Sequence, residues 1–200
     1  MNREVTLLMA DKVYLASTSP RRIELIHKYI PSAIVLKPLW EERMPSGLNP
    51  EETVMFLARQ KAESVLSMCD EGFIIGLDTV VYNGRIIGKP RDRNEAIRIL
   101  EELRNREHLV LTGGAVIGVS NGMVKTLCEK TCIRFDDYSM EEIENYVDTG
   151  EPFDKAGSYA LHLGWRKHTI EVNGDFENAI GFPWRRIKST LESMGYVSEA

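Results

Sequence analysis

The chain has 200 residues, with 25 Lys and Arg against 30 Asp and Glu, for a net charge of −5. That length can bury a sizeable core, as one large domain or a two-lobed one. The acidic balance excludes a nucleic-acid binder working through a general basic field, so any phosphate binding must come from local cation clusters. Three cysteines, an odd number, do not make a disulfide framework. Cys128 and Cys132 have no second Cys/His pair with which to complete a zinc site. Charges at Arg3, Glu4 and Asp11 break the apolar run that a signal peptide would need, and nothing approaches membrane-spanning length. The expectation is a cytoplasmic protein with no nucleic-acid or membrane partner.

In chain order, an apolar strand over 13–16 runs through Ser17, Thr18 and Ser19 into a helix opened by Pro20, a residue suited to the first helical position. Arg21 and Arg22 follow, where the positive end of the helix dipole prefers acids. Two guanidinium groups beside serine hydroxyls and free backbone N–H groups form a candidate phosphate cradle. After a short strand over 33–36 and a loop holding Glu41 and Glu42, Asn49-Pro50-Glu51-Glu52 predicts a capped helix reaching about Met68. Val54, Met55, Ala58, Ala62 and Val65 form its apolar arc, and Lys61 falls inside it.

Residues 73–82 read as a strand covered on both faces, with Asp78 in its middle. A carboxylate there is costly unless paired or bound to metal, which makes Asp78 the leading catalytic candidate. Asn83-Gly84 returns the chain in a hairpin, so that Lys89 should end near Asp78. A helix capped by Asp92 follows, then a long hairpin over 108–119 and 123–135. Gly113-Gly114 marks a bulge or a close backbone approach within it. A helix capped by Ser139 with Glu142 carries Ile143, Tyr146 and Val147 on its apolar face and ends at Gly150. The polar stretch 151–159, a strand over 167–172 and a terminal helix from about Pro183 to Met194 complete the chain. The pattern is α/β, with hairpins mixed into the sheet.

Ser17, Arg21, Arg22, Glu42, Lys61, Asp78 and Lys89 stand out together. One or two carboxylates plus substrate phosphates are what a hard divalent cation takes, Mg²⁺ first and Mn²⁺ or Co²⁺ as other candidates. A ring of cations neutralises charge in phosphoryl or nucleotidyl transfer, and a carboxylate can serve as general base. The residues themselves therefore indicate metal-dependent hydrolysis of a polyphosphate ester.

Leu15-Ala-Ser-Thr-Ser-Pro-Arg-Arg-Ile-Glu-Leu25, Gly76-Leu-Asp-Thr-Val-Val81 with Gly88-Lys-Pro90, Thr112-Gly113 and Asp154-Lys-Ala-Gly-Ser-Tyr159 resemble, in order, the signature blocks of the Maf family. These are nucleoside triphosphate pyrophosphatases historically linked to septum formation. The resemblance implies a single Maf-like domain over 1–200: an elongated mixed sheet with flanking helices and two lobes around a central cleft. It also implies hydrolysis between the α- and β-phosphates, a divalent cation and a homodimer. Matched position by position, Asp78 becomes the proton acceptor and a metal ligand with Glu42, while Ser17, Arg21, Arg22, Lys61 and Lys89 take the phosphate-handling positions, Lys61 and Lys89 as catalytic residues beside Asp78. Arg21, Thr79 and Asp154 to Gly157 resemble the members acting on dTTP and UTP. His162 stands where those members usually carry Gln, so base preference rests on Arg21, Thr79 and His162. The same chemistry on 7-methyl-GTP or another modified or purine nucleotide, and a nucleotide-binding regulator of septum formation, are the alternatives.

Overall fold

The computed structural model describes residues 11–40 and 43–198. The strand over 13–16 forms as expected, β1 (Val13–Ala16), and leads into α1 (Pro20–Tyr29) with Pro20 at its first position. β2 (Ile34–Leu36) follows, then α2 (Pro50–Glu63), whose Asn49 and Glu52 form the complete capping box read from the sequence. β3 (Phe73–Tyr82) turns through Asn83 and Gly84 into the two-residue β4 (Ile86–Ile87), Gly84 taking φ +72°. Next come α3 (Arg93–Leu103), the long hairpin β5 (Glu107–Gly118) and β6 (Val124–Phe135), and α4 (Met140–Asp148). β7 (Thr169–Asn173), α5 (Phe176–Ala179) and α6 (Trp184–Glu192) end the described chain. Among the described residues no helix is long and apolar enough to cross a membrane.

One mixed sheet joins these elements in the order β2-β1-β3-β5-β6-β7, with β4 attached to β3. β2, β1 and β3 are parallel, and every other pairing is antiparallel. β1 covers the edge of β3 only as far as Gly76, and β4 takes up that edge again at Val81. Residues 77–80 thus show an open backbone edge in the middle of the sheet, and this notch positions the site.

The two faces are covered differently. α2 lies alone on one face, its Ala58 and Ala62, with Val65 just beyond its end, packed on Ile74, Ala115 and Ile117. It can come that close because glycine stands beneath it on two neighbouring strands. A Cβ on Gly76 would lie 2.1 Å from the Ala58 carbonyl oxygen, and one on Gly113 would lie 2.3 Å from the backbone of Val54. The β3–β5 ladder runs through Gly113 without a break, so this glycine marks a close approach and not a bulge. On the opposite face two apolar clusters stand apart. One joins Leu15, Ile75, Leu77 and Val116 to Ile26 of α1 and Ile187 and Leu191 of α6. The other joins Val81, Val110 and Phe135 to α3, α4 and Trp165. Between them β3 and β5 present Thr79 and Thr112, a polar interval that separates two lobes.

Three boundaries differ from the expected ones. α2 stops at Glu63, where the Ser64 hydroxyl donates to the Lys61 carbonyl and the chain tightens into a 3₁₀ turn at Leu66–Met68. β7 begins at Thr169, because 164–168 forms a 3₁₀ turn that buries His168 against Asp136, 3.0 Å away. α6 spans Trp184–Glu192, with Pro183 as its cap.

Candidate active site

The notch opens into a cavity of about 460 Å³ between the lobes, within the usual range for a small-molecule site. Five cations (Arg21, Arg22, Lys61, Lys89, Lys155) and three carboxylates (Glu24, Asp78, Asp154) line it among the described residues. A chain carrying −5 overall has concentrated positive charge in one cleft, as an anionic ligand requires.

Asp78 lies at the floor, 5 % exposed. Lys61 reaches it from α2, Nζ to Oδ1 at 2.5 Å. The glycines explain the meeting: Gly76 is two residues before Asp78 on the same face of β3, and Gly113 is its partner across the ladder. With no side chain at either position, α2 descends until Lys61 spans the remaining gap. The lysine inside an apolar arc and the carboxylate inside an apolar strand were the two costly features of the sequence, and each is the other's partner. A buried ion pair contributes little net stability against its desolvation, which directs attention to chemistry.

Arg22 occupies the open edge. Its Nη1 donates to the Leu77 carbonyl at 2.7 Å, Nη2 to Thr79 Oγ1 at 2.7 Å, and Nε to the Gly181 carbonyl at 3.0 Å. The guanidinium therefore binds α1 to β3 and to the 176–182 segment while one flank faces the cavity. Thr79 shares a hydrogen bond with Thr112 at 2.9 Å, and the Thr112 hydroxyl donates to the Asn178 carbonyl at 3.3 Å. Ser17 is placed otherwise: its buried hydroxyl accepts from the Ser19 amide at 3.1 Å, and Ser19 is the serine that lines the cavity. Lys89 is exposed on the turn after β4 and lines the same cavity as Asp78. Glu42 lies outside the described residues.

The far wall is formed by residues 154–163, where the end of one 3₁₀ turn (Glu151–Asp154) leads into a second (Ala156–Ser158) whose Gly157 and Ser158 both have positive φ, +74° and +61°. Three ties hold it. The Gly157 amide donates to the Gly88 carbonyl at 3.0 Å, next to Lys89. Tyr159 Oη and His108 Nε2 share a buried bond of 2.8 Å. The Ala160 amide donates to Tyr146 Oη at 3.0 Å. Arg21 and His162 face each other across this end. Burial lowers the Arg21 pKa, opposed by the carboxylates of Asp154, Glu24 and Glu151. Burial likewise takes His162 down to about 4, and the positive Arg21 and Lys155 add to the effect. At neutral pH the imidazole is uncharged, and its buried Nδ1 has no hydrogen-bond partner among the described residues. Such a ring offers one donor and one acceptor to a ligand.

Residues 12–194 match the Maf family, described as Maf-like protein. This chain belongs to the Maf family. It is 40 % identical over 186 residues to a dTTP/UTP pyrophosphatase of Carboxydothermus hydrogenoformans, covering 92 % of this chain and all of that one. It is also 40 % identical over 190 residues to a dTTP/UTP pyrophosphatase of Dictyoglomus turgidum, covering 94 % and 98 %. Among solved structures, the Ham1 protein of Staphylococcus aureus covers 92 % of this chain and 99 % of its own at 14 % identity and a TM-score of 0.50, a likeness of fold. Within this Maf fold, Arg21, Arg22, Lys61, Asp78, Thr79, Lys89 and His162 converge on one cavity. Ser19 of the cradle and Lys155 of the Asp154–Gly157 block line the cavity too, whereas sequence reasoning passed over Gly181 as a lining residue, and Tyr146 and His108 as supports. A buried tyrosine hydroxyl needs a partner, and that was the available signal for Tyr146.

Proposed function

We propose that this protein is a nucleoside triphosphate pyrophosphatase that hydrolyses dTTP and UTP to the monophosphate and pyrophosphate. The observation that carries the reading is the buried Asp78–Lys61 pair at the floor of a cation-rich cavity. Lys61 pairs with the Asp78 carboxylate, which would accept the proton of a water attacking the α-phosphorus. Lys89, Arg22 and Lys61 lie where they can offset charge on the phosphates and on the departing pyrophosphate. The water's oxygen joins the α-phosphorus, the α–β bridging bond breaks, and Asp78 keeps the water's proton until solvent removes it.

A hard divalent cation of the Mg²⁺ type suits this donor set. Among the described residues no three His, Cys, Asp or Glu side chains cluster for a metal. Asp78, and Glu42 with it, would hold such a cation together with the substrate phosphates. When bound, such a cation screens phosphate charge. The homodimer implied by the family likeness belongs to the same reading, and light scattering tests it.

The names of the relatives support dTTP and UTP as substrates, and a neutral His162 suits the imide edge of a pyrimidine, which itself donates and accepts. The unpartnered His162 Nδ1 also favours a second reading, a modified base with an extra polar group. Pyrophosphate release from dTTP, UTP, 7-methyl-GTP and the common purine triphosphates, with Mg²⁺, tests both. Release from dTTP and UTP, abolished in Asp78→Asn, is expected. Full activity in that variant overturns the assignment of the base.

A further inference from the structure

Tyr146 sits on the buried face of α4, outside the cavity lining, with 7 % of its surface exposed. Its ring stacks on Trp165 at 4.5 Å between centroids. The hydroxyl does two jobs at once. It donates to Glu151 Oε1 at 2.6 Å and accepts from the Ala160 amide at 3.0 Å. Ala160 is the second of five consecutive wall residues, 159–163, that line the cavity and include His162. Glu151 in turn is among the carboxylates whose charge acts on Arg21. One phenol therefore connects the backbone of the His162 wall to the acidic neighbour of Arg21, from behind.

From this geometry we infer that Tyr146 is a positioning residue for recognition of the nucleoside end of the substrate, an inference that rests on the function proposed above. The wall has no regular secondary structure of its own at 159–163, and a 3₁₀ turn at Gly164–His168 follows it directly. Among the described residues the Tyr146 bond is the side-chain tie to its backbone nearest to His162. Among the described residues the Tyr146 hydroxyl bonds Glu151 and Ala160 and no group of the Asp78 end, so the effect of losing the hydroxyl is confined to the base and sugar.

The test compares Tyr146→Phe with Tyr138→Phe. Tyr138 is also buried in the same lobe and its hydroxyl donates to the Leu100 carbonyl at 2.6 Å, away from the wall. In Tyr146→Phe the KM for dTTP is expected to rise about tenfold, the scale of one lost hydrogen bond that leaves a buried amide unpaired. Its kcat, and inhibition by inorganic triphosphate, which has no base, should each stay within about twofold. Tyr138→Phe should lower Tm comparably and leave all three constants unchanged. An unchanged KM in Tyr146→Phe overturns the inference, as does an equal KM rise in Tyr138→Phe or a parallel loss of triphosphate inhibition. If the wild type releases pyrophosphate from no nucleotide, the proposed function fails by itself. The dissociation constants of dTTP and triphosphate then give the same comparison.

Discussion

At the Asp78 end of the cleft the central side chains stand on a long strand and a capped helix, whereas at the His162 end the lining comes from an irregular stretch between two 3₁₀ turns, held by single hydrogen bonds. Asp78 is in the middle of a ten-residue strand, and Lys61 is on a fourteen-residue helix. Both are fixed by the Gly76 and Gly113 contact, which is backbone against backbone. His162 instead follows a stretch with two consecutive positive φ values and is held through Tyr146, Tyr159 and Gly157. The difference separates two tasks. Reacting groups need sub-ångström placement, which rigid elements give. A base-reading wall can be altered with little disturbance of the sheet, as loops allow.

If that separation holds, substitutions at the first end should change kcat by the same factor for every nucleotide. Asp78→Asn carries the largest expected effect, a fall of about 10²–10⁴ in kcat, the range for loss of a general base. The asparagine keeps the shape and loses the proton acceptor. Steady-state rates on dTTP and UTP check it, and unequal factors on the two substrates would break the comparison.

Gly113→Ala tests the same end through the fold. A methyl group 2.3 Å from the Val54 backbone cannot be accommodated by side-chain movement, so α2 must lift. Overpacking of this kind costs about 1–3 kcal/mol, or about 2–4 °C of Tm per kcal/mol for a chain of this size. Lifting α2 also withdraws Lys61 from Asp78, so kcat should fall further than Tm alone would account for. Calorimetry on the variant, with kcat measured well below its Tm, separates the two effects.

The second end should be the more sensitive to acid. His108, which holds Tyr159, is 3 % exposed, and burial lowers its pKa from 6.5 to about 4. Between pH 6.5 and pH 4 the unfolded chain therefore carries a proton on this ring that the folded chain does not. Each step down in pH across that window favours unfolding. The loss from this residue reaches at most about 3 kcal/mol at pH 4, from 1.36 kcal/mol per pKa unit. Tm measured from pH 7 to pH 4.5 should fall, and the slope should flatten in His108→Gln. An equally steep slope in that variant would place the acid sensitivity elsewhere.

What the sequence made legible follows the same division. Asp78 and Lys61 could be picked out because each broke a strong local rule, and Gly113 because a glycine inside a strand needs a reason. The doubled positive φ at Gly157 and Ser158 breaks no rule visible in Asp154-Lys-Ala-Gly-Ser-Tyr159, since a serine ordinarily avoids that region. Tyr146 gave a weak signal only: on an apolar arc its ring satisfies the pattern, and just the need of its hydroxyl for a buried partner pointed further. Arg22 shows a third case. Its conflict with the helix dipole was legible, but its hold on the Leu77 and Gly181 carbonyls depends on where β1 stops, a tertiary fact.

The smallest expected effect comes from His162→Gln, and it sharpens the comparison most. His162 stays neutral down to about pH 4 because it is partly buried beside two cations, so it titrates outside the working range. Gln, also neutral, offers a donor and an acceptor too, with a different reach. The exchange should therefore leave kcat on dTTP within about twofold and the activity profile from pH 5.5 to 7.5 unchanged in shape. The ratio of kcat/KM between dTTP and other bases should shift by up to about tenfold, the scale of one hydrogen bond at 1.4 kcal/mol per decade. Rates across the nucleotide panel at three pH values decide the matter. A change in profile shape would mean that His162 exchanges protons during turnover, joining the base-reading wall to the chemistry that the two ends of the cleft otherwise keep apart.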